Sequence, residues 1–246
     1  MAYTNIDDPS AHFQTVLHSS ANAATITNDG NSNLKPDLIW SKARGAGHNH
    51  GLYDSTRGVT KFLSSNTDSD ETTASSGFDL TSFNTDGFST GNNQYNTICG
   101  GTTYVGWQWK ANGGTTSSNS DGDITSTVQA NTTAGFSIMT YSGTTGDVHT
   151  IGHGLGVTPQ VWIVKQRSGN SEFKDWFVWH HQMAASNIVD NRVMFLNSAG
   201  NPDTYTGINA LTTSTIRVKS STTAQNGDTF VAYAFAEKQG YSKFGS

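Results

Sequence analysis

Two short stretches carry nearly the same pattern and constrain the fold of the whole chain. Residues 36–44 read Pro-Asp-Leu-Ile-Trp-Ser-Lys-Ala-Arg, and residues 159–167 read Pro-Gln-Val-Trp-Ile-Val-Lys-Gln-Arg, 123 positions later (159 − 36). Both begin with proline, which suits the first position of a strand, and continue with the β-branched and aromatic residues that are typical of strands. Because apolar side chains fall on both faces, both stretches are predicted to be interior strands or strands covered on both sides.

The same spacing recurs elsewhere in the chain. The stretch at 13–19 has its counterpart at 136–142, again 123 positions later (136 − 13). The aromatic stretch at 103–109 has its counterpart at 229–235, 126 positions later (229 − 103). Matching stretches at a nearly constant spacing indicate an internal duplication.

The duplication predicts two domains joined by a linker. One unit is predicted to span 1–111 and the other 123–246, and residues 112–122 between them are rich in Gly, Ser and Asn. Such a composition is typical of a flexible linker. Short strand-like stretches separated by Gly, Asn and Asp, with no long helical period, predict an all-β fold. We therefore expect two tandem antiparallel β-sandwiches with a jelly-roll-like topology.

Alternation in the stretch at 103–109 predicts which of its side chains face the core. Val105, Trp107 and Trp109 lie at every second position, so they share one face of the strand. We expect this large apolar face to point into the first sandwich.

Charge and composition argue against several functional classes. Only 13% of the residues are charged, against about 25% in typical domains, and the net charge is −5. No basic stripe is visible, so nucleic-acid binding is not expected. The N-terminus lacks the features of a secretory signal and no apolar run is long enough to span a membrane, so neither secretion nor membrane insertion is expected. The one cysteine, Cys99, is interpreted as a buried, inert thiol.

The densest group of aromatic and histidine residues is a candidate contact region. It contains Trp176, Trp179, His180 and His181. An exposed indole can stack on a sugar ring, so this region is a candidate for contact with a ligand or with a neighbouring protein. The alternative is that the tryptophans belong to a core strand.

His48 and His50 are candidate metal ligands. They lie on one side of an extended loop and would need a third ligand to hold a metal ion; the alternative is two ordinary loop histidines. The carboxylates are scattered among turns, and the chain has no phosphate-binding glycine loop, nucleophile elbow or zinc signature. The sequence therefore predicts no catalytic residues, no cofactor and no enzymatic activity.

Several stretches together carry a family resemblance. They are the stretch at 36–44, Leu-Tyr-Asp-Ser-Thr-Arg-Gly-Val-Thr-Lys-Phe-Leu at 52–63, Ser-Phe-Asn-Thr-Asp-Gly-Phe at 82–88, Ala-Tyr-Ala-Phe-Ala-Glu at 232–237 and Gly-Tyr-Ser-Lys-Phe-Gly at 240–245. The chain resembles a repeat found in virion proteins of tailed phages, especially phages of marine bacteria. Such proteins are often labelled tail fibre or lectin-like jelly-roll proteins. The resemblance extends over almost the whole chain and supplies no catalytic residues.

The resemblance implies a non-enzymatic structural component of a tailed-phage virion. A tail-fibre or adhesion-type protein is the first interpretation. The alternatives are a head-decorating or knob-like capsid accessory protein and a carbohydrate-binding module. The expected partners are other virion proteins and further copies of this chain in a symmetric assembly, with a host surface glycan as a further candidate. The expected localisation is the virion, after synthesis in the host cytoplasm.

Overall fold

A computed structural model describes residues 5–170, 172–183, 192–200, 203–204 and 212–245. Within these residues the chain forms β-strands and two short 3₁₀ turns, at Pro9–Ala11 and His181–Met183, and no α-helix. The predicted all-β class is therefore confirmed. In the same residues, no helix has the length and apolar character needed to cross a membrane.

The chain divides into two compact units. The first unit is Asp7–Gly114, and the second unit is Thr115–Ser246 together with Met1–Ile6. The division between Gly114 and Thr115 falls inside the segment 112–122 that was interpreted as a linker.

The first unit contains two antiparallel sheets. Its strands are β1 (Phe13–His18), β2 (Ala24–Ile26), β3 (Leu38–Ala43), β4 (Gly51–Asp54), β5 (Lys61–Leu63), β6 (Thr72–Thr73), β7 (Leu80–Phe83), β8 (Phe88–Thr90) and β9 (Tyr104–Trp109). One sheet has six strands in the order β1-β9-β3-β4-β5-β6, and the other has three in the order β2-β8-β7. The last strand of the unit therefore pairs between the first strand and the third.

The second unit also contains antiparallel sheets. Its strands are β10 (Ser117–Asn119), β11 (Ser126–Asn131), β12 (Phe136–Ser142), β13 (Val148–Gly152), β14 (Val161–Ser168), β15 (Phe177–His180), β16 (Arg192–Phe195), β17 (Asp203–Thr204), β18 (Thr215–Lys219) and β19 (Thr229–Phe235). One sheet has eight strands in the order β10-β11-β12-β19-β14-β15-β16-β17, and the other pairs β13 with β18.

The segment interpreted as a flexible linker includes an edge strand. β10 pairs antiparallel with β11, with Ser117 opposite Val128 and Asn119 opposite Ser126. Backbone hydrogen bonds hold such a strand whatever its side chains are. Composition alone therefore did not reveal it, because Ser and Asn carry no strand signal.

The core of the first unit is formed by side chains from both of its sheets. The six-stranded sheet contributes Ile39, Tyr53 and Phe62, and the three-stranded sheet contributes Ile26 and Phe88. Each large apolar side chain that is buried between the sheets stabilises the folded unit by about 1.5–3 kcal/mol.

The core of the second unit is built in the same way. The eight-stranded sheet contributes Trp162, Phe177 and Phe230, and the two-stranded sheet contributes Ile151 and Ile216. The Phe177 ring meets the Phe195 ring edge-on, with centroids 5.2 Å apart.

Trp107 and Trp109 do not face the core of the first unit. Tyr104, Gly106 and Gln108 on the other face of β9 are buried, whereas the two tryptophans are half-buried. The predicted alternation is correct, but the predicted direction of the faces is wrong.

Space and hydrogen bonding explain why the smaller and more polar face of β9 is the inner one. Gly106 has no side chain, and a Cβ at this position would already be in van der Waals contact with Val16 at 3.5 Å and with the Phe88 ring at 3.7 Å. The Gln108 Nε2 donates to Asn28 Oδ1 at 2.6 Å, which allows part of the amide to be buried. These partners are distant in sequence, so hydrophobicity within β9 did not reveal them.

Candidate functional site

The two tryptophans of the predicted contact region lie inside the second unit. Trp179 in β15 is 9% exposed, and Trp176 just before it is 0% exposed. The Trp179 ring stacks on Trp162 with centroids 6.4 Å apart, and the Trp176 backbone N–H donates to Asn197 Oδ1 at 2.9 Å. In this structure both indoles are core side chains and do not form an exposed platform for a sugar ring.

The two histidines after Trp179 hold the local backbone. His181 Nε2 lies 2.6 Å from the Phe244 carbonyl oxygen, so this nitrogen carries a proton and donates it. The Gln182 N–H donates to His180 Nδ1 at 3.1 Å. Burial, followed by the nearby His181, lowers the pKa of His180, which favours the neutral ring that can accept this bond. His181 therefore ties the end of β15 to the C-terminal residues, and His180 holds the turn that follows β15.

The predicted metal ligands lie in a hydrogen-bonded loop. His50 Nδ1 is 3.0 Å from Ser65 Oγ, and the His50 backbone N–H donates to Asn66 Oδ1 at 2.9 Å. Burial, followed by the charge of Lys42, lowers the pKa of His50. His48 is half-buried in the same loop. Across the part of the chain that the structure describes, no three or more His, Cys, Asp or Glu side chains come together as metal ligands.

A buried carboxylate in the first unit was missed by the sequence analysis. Asp79 is 0% exposed, and its backbone φ of 48° lies in the left-handed region, which Asp tolerates better than most residues. Its Oδ1 accepts the N–H groups of Gln94 and Tyr95 at 3.2 and 3.3 Å, and its Oδ2 has no hydrogen-bond partner among the described residues. Burial raises the pKa of Asp79, because the charged form loses hydration. The sequence signal is an acid placed directly between Phe78 and Leu80.

Weakly acidic groups complete the cluster around Asp79. The Tyr53 hydroxyl is 2.6 Å from Thr97 Oγ1, and the Tyr104 hydroxyl donates to the Asn96 carbonyl at 3.2 Å. Burial is the largest of the effects that raise the pKa of Tyr104 to about 12 and the pKa of Cys99 to about 12. A thiol with such a pKa stays protonated at neutral pH, so Cys99 is not activated as a nucleophile.

The Asp79→Asn substitution is expected to raise the free energy of unfolding of the first unit by about 1 kcal/mol at neutral pH. Asn keeps an oxygen for the N–H groups of Gln94 and Tyr95 and removes the buried charge. Because the folded-state pKa of Asp79 is raised, the wild type loses stability as the pH rises from the usual value of 3.8 through the raised value. Urea unfolding should therefore show the difference at neutral pH and none at about pH 3. A variant that is less stable than the wild type at neutral pH would contradict this expectation.

His18 is a second titratable group held in an apolar setting. Its ring stacks on Tyr104 with centroids 5.4 Å apart and meets the Phe88 ring edge-on at 5.5 Å. Its Nδ1 is 3.0 Å from Ser20 Oγ, and its Nε2 has no hydrogen-bond partner among the described residues. Burial lowers the pKa of His18 to about 4, because the imidazolium would lose its hydration.

The protonation of His18 is expected to destabilise the first unit on acidification. As the pH falls from about 6.5, the pKa of His18 in the unfolded chain, through its folded-state pKa, the free energy of unfolding should decrease by about 2–3 kcal/mol. Its folded-state pKa is lowered, so the contribution of the neutral ring is fully present above about pH 6.5 and is lost on acidification. The His18→Phe substitution removes the titrating group and keeps an aromatic ring. Unfolding free energies measured between pH 7 and pH 4 should fall less steeply for this variant, and equal slopes would count against the assignment.

A buried ion cluster lies at the turn between β4 and β5. Arg57 Nε donates to Asp54 Oδ2 at 2.5 Å, Nη1 to Glu71 Oε2 at 3.0 Å and Nη2 to the Leu52 carbonyl at 2.9 Å. The side chains of Arg57 and Asp54 are 0% exposed, and that of Glu71 is 10% exposed. Because the guanidinium is paired and hydrogen-bonded on several sides, we interpret the cluster as a structural element of the turn.

Comparison with known proteins gives a family and no established activity. The model of one family, described as a domain of unknown function (DUF7483), matches residues 8–246. No curated protein matches the chain, and no solved structure matches it. The family match covers nearly all of both compact units. The chain therefore belongs to the DUF7483 family.

Proposed function

We propose that the chain is a non-enzymatic structural component of a tailed-phage virion, of the tail-fibre or adhesion type, built from a duplicated β-sandwich with a jelly-roll-like topology. The resemblance of its sequence to phage virion repeats supports the class of protein. The observation that carries the architectural part of the proposal is the correspondence between its two units in strand order and register. Such a chain suits a scaffold, because the shared strands fix the core while the loops are free to differ.

Strand order supports the duplication. The order β1-β9-β3-β4-β5-β6 in the first unit corresponds to the order β12-β19-β14-β15-β16-β17 in the second unit. Both orders place the last strand of the unit between an early strand and the strand that follows the repeated proline. A shared order that departs so far from the order in sequence favours a common origin of the two units.

Pairing register supports the duplication at the level of single residues. Phe13 of β1 lies opposite Trp109 of β9. At the spacings of 123 and 126 positions found in the sequence, Phe136 of β12 lies opposite Phe235 of β19. A slip of one residue would reverse the faces of a strand, so an equal register preserves the same inner face in both units.

One side-chain hydrogen bond is also repeated. Asp37 and Gln160 follow the two prolines of the repeated stretches. Asp37 Oδ2 accepts the N–H of Ala111 at 2.7 Å, and Gln160 Oε1 accepts the N–H of Glu237 at 2.6 Å. Each bond fixes the chain just beyond the last strand of its unit.

The alternative within the same class is a head-decorating or knob-like capsid protein, which could use the same scaffold at another position on the particle. The burial of Trp176 and Trp179 gives no support to a carbohydrate-binding module centred on them.

Analysis of purified particles tests the proposal. In gradient-purified virions of the phage that carries the gene, quantitative mass spectrometry should detect the protein at a level comparable with known structural proteins. A replication enzyme of the same phage is the matched control for carry-over from the lysate. Gold-labelled antibodies should mark the tail, and labelling of the head would favour the alternative. A protein level no higher than that of the replication enzyme would refute both.

A further inference from the structure

Among the residues that the structure describes, β1 is an outer strand of the six-stranded sheet. The Lys110 N–H donates to the His12 carbonyl at 3.0 Å, which fixes the alternation of hydrogen bonds between β1 and β9. The backbone groups of Phe13, Thr15 and Leu17 therefore point away from β9. In the described parts of the chain, no strand pairs with β1 on that side.

The corresponding strand of the second unit has a partner at the same positions, a comparison that depends on the duplication proposed above. β12 corresponds to β1, and β11 lies beside it as an antiparallel neighbour. The pairs between them are Phe136 with Asn131, Ile138 with Gln129 and Thr140 with Thr127. In the first unit the equivalent residues are Phe13, Thr15 and Leu17. This side of the strand is therefore one that accepts an antiparallel strand in the second unit.

β1 lacks the features that protect sheet edges from pairing. Its sequence, Phe-Gln-Thr-Val-Leu-His, contains no Lys, Arg, Asp, Glu or Pro, and Leu17 is 61% exposed. The opposite edge strand, β6, has only two residues and follows Asp70 and Glu71 directly. The edge strand β10 has three residues, all polar. β1 is thus longer than β6 and β10, and it contains no Lys, Arg, Asp or Glu.

We propose that β1 pairs with β1 of a second copy of this chain, so that two six-stranded sheets join across a twofold axis. An antiparallel pairing through all three outward-facing residues places Thr15 opposite its own copy and Phe13 opposite Leu17 of the partner subunit. This arrangement satisfies the backbone groups of both edges and brings an aromatic ring against an apolar side chain on each side of the axis. In the virion protein proposed above, the β1 edge would then be the surface through which two copies associate.

Charge substitutions at Thr15 test this pairing. Thr15 is exposed, so Thr15→Lys leaves the core intact but places two lysines directly opposite each other. Sedimentation equilibrium should give twice the chain mass of 26.3 kDa for the wild type at high concentration. Thr15→Lys and Thr15→Glu should each raise the dissociation constant about tenfold or more. An equimolar mixture of the two variants should restore the dimer, because opposite charges then face each other.

The matched control is Thr127→Lys, the same change at an exposed position of β11, which should leave the dimer unchanged. Thermal unfolding verifies that each variant is folded, and Leu17→Lys serves in its place if a Thr15 variant is not. A monomeric wild type at all concentrations, or a dimer insensitive to both the Thr15 and Leu17 variants, would overturn the proposal. Because this experiment uses the purified chain in solution, its failure is distinct from absence of the protein from virions.

Discussion

Arg57→Met is expected to lower the free energy of unfolding of the first unit by about 3–5 kcal/mol. Removing the guanidinium leaves the Asp54 carboxylate buried without the partner that lies 2.5 Å away, and it also removes the donor to Glu71. Met fills much of the same volume, so the loss reports the charge and the hydrogen bonds rather than a cavity. Urea unfolding followed by circular dichroism measures the difference.

Lys61→Met is the control for the ion cluster. The Lys61 Nζ lies 3.9 Å from Glu71 Oε1, but its side chain is 40% exposed. An exposed ion pair of this kind contributes about 0–1 kcal/mol, so this variant should unfold almost like the wild type. If Arg57→Met cost no more than Lys61→Met, the cluster would not have the structural role assigned to it.

Phe177→Ala should destabilise the second unit by a similar amount, about 3–5 kcal/mol. Phe177 is 2% exposed and belongs to the core formed by the two sheets of that unit. Truncation removes its apolar contacts, including the edge-on contact with Phe195, and leaves a cavity that the surrounding strands fill only in part. Urea unfolding followed by tryptophan fluorescence measures the loss.

Phe173→Ala is the matched control, because it makes the same chemical change outside the core. Phe173 is 47% exposed. Its truncation should change the free energy of unfolding by about 0.5–1 kcal/mol at most. Equal losses for the two variants would show that the assigned burial of Phe177 is wrong.

The strands rich in β-branched and aromatic residues were predictable because their signals are local. The stretches that begin at Pro36 and Pro159 contain β3 and β14, and β9 and β19 fall where their aromatic residues indicate strands. In each case the β-branched and aromatic residues that define the pattern lie within the strand itself.

Features that depend on distant residues were not predictable in this way. The inner face of β9 is set by Asn28 and Phe88, which lie far from it in sequence. The burial of Trp179 likewise depends on Trp162 in a neighbouring strand. A sequence pattern identifies which side chains share a face, but it does not identify what covers that face.

The candidate site shows the same limit. The sequence analysis selected its candidates by the local density of Trp and His, whereas Asp79 meets Gln94, Tyr95 and Cys99 through a loop that no local pattern reveals. Only its apolar neighbours in sequence indicated that this acid could be buried.

The burial of Cys99 gives the chain an internal chemical reporter. The thiol is fully buried in the first unit, and it is the one cysteine in the sequence. A thiol-reactive dye can therefore label the chain only when the first unit opens, since a protonated and inaccessible sulfur does not react. The labelling rate then measures the opening of the first unit alone, because the second unit contains no cysteine. The wild-type protein therefore allows the opening rate of the first unit to be measured without an engineered probe.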